Sequence, residues 1–144
     1  MFHLVTRALS SFRNNHVTPE QQVLARDILL PEEFALWFRM QNRDQRHSLQ
    51  VLSRFDALYA RGTRDERAAA LLHDVGKCES TLGWFGRVVA TIVGAKAESF
   101  RVYLDHEAIG LELLRGVSTE RTLTVLAGEP TDDCVVALRH ADNM

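Results

Sequence analysis

The chain reads as an all-α protein, a single compact bundle of about six to eight helices. Three features predict this. Apolar residues recur at spacings of three and four through most of the chain, and helix-start signals punctuate it at regular intervals. The alternating stretches that would supply partner strands do not occur elsewhere in the sequence. At 144 residues the chain is long enough for one domain with a proper core and too short for two.

Composition narrows the function classes. Hydrophobic residues make up 46% and charged residues 25%, ordinary for a soluble globular protein, and the net charge of -2 gives no general drive toward nucleic acid or anionic membranes. Phosphate binding, if it occurs, must be local. Cys78 and Cys134 sit in no metal-binding spacing and are too few for a disulfide scaffold, so a cytoplasmic location with free thiols is expected. The uncharged run Val88 to Ala95 falls far short of the roughly 18 residues of a spanning helix, and neither a signal peptide nor a membrane segment is expected.

In chain order, residues 1–17 lack a clear period, with Arg13-Asn14-Asn15-His16 loop-like. Thr18-Pro19-Glu20-Gln21 predicts a helix start, with proline at the first helical position, running to about Leu29. Pro31-Glu32-Glu33 starts a second helix, with Phe34, Leu36, Trp37, Phe38 and Met40 as a core-facing side. From Asn42 a third carries His47, with Val51, Phe55, Leu58 and Tyr59 down the same side, and Arg61-Gly62 closes it. Thr63-Arg64-Asp65-Glu66 has capping-box spacing, and Ala68, Leu71, Leu72 and Val75 then form one buried stripe. Gly76 is expected to stop this helix in the left-handed conformation, which leaves His73 and Asp74 on its last turn. The β-branched run 88–93 is read as a short helix in a helical context. Further helices are expected over 99–115, over 119–127, and from Thr131-Asp132-Asp133 to the end of the chain.

A His-Asp dipeptide alone carries little information, since any two-residue motif recurs by chance. The register around it is more telling: His47 on one helix, His73-Asp74-Val75-Gly76-Lys77 on the next, His106 to Gly110 downstream, and His140-Ala141-Asp142 near the end. In that order the chain resembles the HD-domain phosphohydrolase superfamily over residues 47–142. The resemblance implies a helical HD-type metal core over 42–144, with 1–41 as an N-terminal helical extension. It also implies a divalent ion held by His47, His73, Asp74 and Asp142, and hydrolysis of a small-molecule phosphate ester such as a nucleotide. His106 with Gly110 looks like the element that helps hold a second ion in two-metal members. The His-His pair those members also carry has no counterpart here, so His106 is read as an outer donor or a phosphate contact.

Two imidazoles and two carboxylates suit Mn2+, Fe2+, Co2+, Ni2+ or Zn2+, with Mg2+ also admitted, and leave positions open for water and a phosphate oxygen. Lys77, one turn from the pair, can bring positive charge to the phosphate or simply stabilise a helix C-terminus. Asp74, Lys77 and His106 are the residues assigned catalytic roles. Glu79, Asp105 and Glu107 are general-base candidates by sequence proximity only, and such a residue is more often a solvated carboxylate. Trp84 and Phe85, set between glycines, are candidates for stacking on a base or for core packing. A regulatory module on the same scaffold, without turnover, is the competing function, and retention of all four ligand residues argues against it. Neither nucleic acid nor membrane is expected as a partner, and the oligomeric state is left open.

Overall fold

The structure is a computed structural model that describes residues 16–77 and 106–144. Within them it is all-helical, with seven α-helices, one 3-10 turn and no strand: α1 Pro19–Ile28, α2 Pro31–Phe38, α3 Asn42–Leu58, α4 Arg64–Leu72, the 3-10 turn Val75–Lys77, α5 His106–Leu114, α6 Glu120–Ala127 and α7 Asp133–Asp142. The run 88–93 and residues 99–105 of the helix expected over 99–115 lie outside the described residues.

The start signals work as local chemistry predicts. Thr18 and Thr63 each accept a backbone N–H three residues on, while Gln21 and Glu66 reach back to the cap N–H, completing two capping boxes. Thr119 and Asp132 cap α6 and α7 from one side only, accepting the N–H of Thr122 and of Cys134. Gly128 closes α6 at φ 82, a left-handed conformation that glycine adopts without steric cost.

The core lies where α3, α4, α6 and α7 meet, and the predicted α4 stripe is fully inside it: Ala68, Leu71, Leu72 and Val75 are all buried. Trp37, Val51 and Phe55 are buried as expected, whereas Phe38 and Leu58, at the ends of α2 and α3, are exposed. The indole of Trp37 donates to Ser48 Oγ at 2.9 Å, and Gln45 Nε2 donates to the carbonyls of Phe38 and Met40 at 3.0 and 3.1 Å. These bonds lock the end of α2 onto the first turns of α3, the stretch that carries His47.

The end of α4 differs from expectation. The helix stops at Leu72, His73 is its C-cap in right-handed conformation, and the chain tightens into the 3-10 turn; among the described residues only Gly116 and Gly128 have positive φ. Gly76 therefore does not act as a left-handed stop. Close packing explains the small residues instead: a Cβ on Gly110 would meet Val75 Cγ1 at 3.2 Å and Gly76 N at 3.3 Å, so α5 crosses directly over the turn.

Candidate metal centre

Three separate elements bring the site together. His47 comes from the second turn of α3, His73 and Asp74 from the end of α4, and Asp142 from the last residue of α7. The α3–α7 contact is long-range, and Arg54 of α3 reinforces it by donating to the Ala141 carbonyl at 3.4 Å, next to Asp142.

The four side chains offer ligand atoms that all lie within 4.8 Å of one another. Asp142 Oδ1 stands 3.1 Å from His47 Nε2 and 3.1 Å from His73 Nε2. Asp74 Oδ2 stands 3.2 Å from His73 Nε2 and 3.9 Å from His47 Nε2. Two atoms bound at about 2.1 Å to one ion sit about 3.0 Å apart at a right angle and about 3.4 Å apart at the tetrahedral angle. The observed separations fall in or near that range, so the residues fit a divalent ion.

His73 is oriented for that task. Its Nδ1 lies 2.7 Å from the Ala70 carbonyl, which can only accept, so Nδ1 carries the proton and Nε2 faces the other three ligands. Burial alone would lower the pKa of this imidazole, but hydrogen bonds to Asp142 and Asp74 outweigh it and raise the value to about 10. Asp142 is held well below the usual carboxylate range, chiefly by its bond to His73. An ion would take the place of the Nε2 proton between the same carboxylates. The site is asymmetric: side-chain exposure is 11% and 12% for His73 and Asp74 but 36% and 38% for His47 and Asp142, so it opens toward solvent on the His47–Asp142 side.

All four expected ligands are thus brought together. Lys77 closes the 3-10 turn directly after the pair, and His106 opens α5 one turn before Gly110; both side chains lie outside the described part of the structure. Cys78, Glu79, Trp84, Phe85 and Asp105 also lie outside the described residues, as does the side chain of Glu107. His140 lines a different groove with Leu58, Tyr59 and Arg61, in keeping with its omission from the site. Cys134 is a buried free thiol pushed up to about 12 by burial with Glu66 alongside, and so stays protonated in the core.

Arg139, which the sequence reading did not single out, lines a cleft together with His73 and Asp142. Its position three residues before Asp142 on a helix is the signal that would have shown it.

Compared with family models, curated proteins and solved structures, the chain matches none. Functional inference therefore stands on the site itself and on the sequence register.

Proposed function

We propose that the chain is a metal-dependent phosphohydrolase that cleaves a phosphate ester of a nucleotide or a related small molecule. The observation that carries this reading is the convergence of His47, His73, Asp74 and Asp142 from three elements onto one point. Closed structural metal sites are usually built from cysteine and histidine, whereas a set of two imidazoles and two carboxylates leaves coordination positions free. When bound there, a divalent ion supplies Lewis-acid polarisation of a phosphoryl oxygen and lowers the pKa of water.

The chain's own residues do the rest. Asp74 and Asp142 supply the charge that holds a dication, and the Ala70 carbonyl keeps His73 in the tautomer that presents Nε2. The half-exposed His47–Asp142 side is where an ester enters, and the buried His73–Asp74 side excludes water from behind. The resemblance in register to HD-domain phosphohydrolases supports the reaction class and the nucleotide-like substrate.

The test is metal content of the purified protein, measured alongside phosphate release from a panel of nucleotides and simple phosphate esters. Bound Mn2+, Fe2+, Co2+, Ni2+ or Zn2+ with metal-dependent release supports the proposal. A protein with neither metal nor release after reconstitution is instead a binding module on the same scaffold.

A further inference from the structure

We propose that Arg139 is the residue that holds the substrate's phosphate beside the metal centre, an inference that rests on the metallohydrolase reading above. Arg139 lies on α7 one turn before Asp142, and it lines one cleft with His73, Asp142, Gly110, Leu126 and Gly128. Residues three apart on a helix share a face, with about 5–6 Å between their Cβ atoms. A guanidinium at 139 can therefore meet an anion at the His73–Asp142 edge without any movement of α7.

It lacks the carboxylate partner that several other arginines have. Arg61, Arg64, Arg67 and Arg121 each sit on a carboxylate, at 3.5, 3.1, 3.0 and 2.6 Å. No carboxylate of the described residues lies within 4.0 Å of Arg139; its hydrogen-bond partner is the Gly128 carbonyl, at 2.9 Å. The seat is shaped for it, because a Cβ on Gly128 would stand 2.8 Å from the guanidinium nitrogen. One N–H thus anchors the group, and the others of its five donors remain for an anion, in a fork that matches two phosphate oxygens.

The charge balance calls for such a group. A dication held by Asp74 and Asp142 is neutralised by them, so the centre offers a phosphate dianion little net attraction.

The experiment uses the full chain loaded with Mn2+, as wild type, Arg139→Gln and Arg139→Lys. Metal content, melting temperature and inorganic phosphate affinity by calorimetry are measured on the same samples, and KM and kcat on a responsive ester. Arg139→Gln should keep its metal and lose phosphate affinity about tenfold to hundredfold, with KM raised more than kcat is lowered. Arg139→Lys, which keeps the charge and loses the fork, should fall between the two. A merely structural Arg139, tying α7 to the end of α6, would lower the melting temperature and leave phosphate affinity unchanged. That result, with metal retained, overturns the role of Arg139 alone, as does a metal-loaded wild type that binds no phosphate. A wild type that takes up no ion overturns the metallohydrolase reading itself.

Discussion

A histidine that gives its Nδ1 proton to a carbonyl has one nitrogen left, and in His73 that nitrogen faces two carboxylates and a second imidazole. A side chain committed in this way serves the site more than the core. His73→Ala or Asp74→Ala should therefore remove bound metal and hydrolysis while leaving helical content, read by circular dichroism, close to wild type; either variant with full metal content refutes the ligand assignment. His106→Ala addresses stoichiometry. Under a single-ion site the metal content stays near one per chain, whereas a fall from about two to about one would show that a second ion is held.

Between the residues and the fold stand the helix ends and the polar ties that join them. The Thr63 capping box fixes the start of α4, whose other end carries His73 and Asp74. Thr63→Ala should lower stability by about 1 kcal/mol, measured by urea unfolding, with metal affinity per folded molecule retained. Across the bundle, Arg121 of α6 holds Glu66 of α4 at 2.6 Å and the α7 cap Asp132 at 2.6 Å. Burial alone would raise the pKa of Glu66, but bonds from the Thr63 N–H and Arg121 prevail and hold it below its ordinary 4.5. Asp132 is lowered below 3.8, first by its bond to Arg121. Carboxylates with depressed values contribute stability that is fully present above their ordinary pKa and lost as pH falls through the folded value. The metal-free protein should thus lose stability below about pH 4.5, and Arg121→Gln should flatten that acid limb in melting experiments.

At the scale of the whole molecule, the site depends on Asp142, the last residue of α7. Helix ends fray unless tied down, and Asp142 is tied to His47 and His73. Deleting 142–144 should abolish activity and erase the metal-dependent gain in melting temperature, while deleting only 143–144 should preserve both. Saturating an ion site at a hundredfold excess over its Kd is worth about 2.7 kcal/mol, enough to show in a thermal scan. If the longer deletion keeps that gain, Asp142 is not a ligand.

What the sequence determined by itself was local and periodic. Capping boxes at Thr18 and Thr63, the stripe Ala68–Leu71–Leu72–Val75 and the acidic start of α7 are written in residues within one or two turns of each other, and each forms as its spacing predicts. The clustering of His47, His73, Asp74 and Asp142 was legible too, because four residues of the right type stand in a register that resembles a known metal-binding order. The tertiary structure decided what depends on elements far apart in the chain. Gly110 sits where α5 crosses over the 3-10 turn at Gly76, which itself does not turn left-handed, and no local pattern encodes that crossing. The approach of Asp142 to His47 and His73, and the open edge it leaves, follow from how α7 meets α3 and the end of α4. Arg139 lines the same cleft because α7 packs against α3 and α6 with that edge of the helix beside His73, and helical spacing alone cannot say which face a bundle will cover.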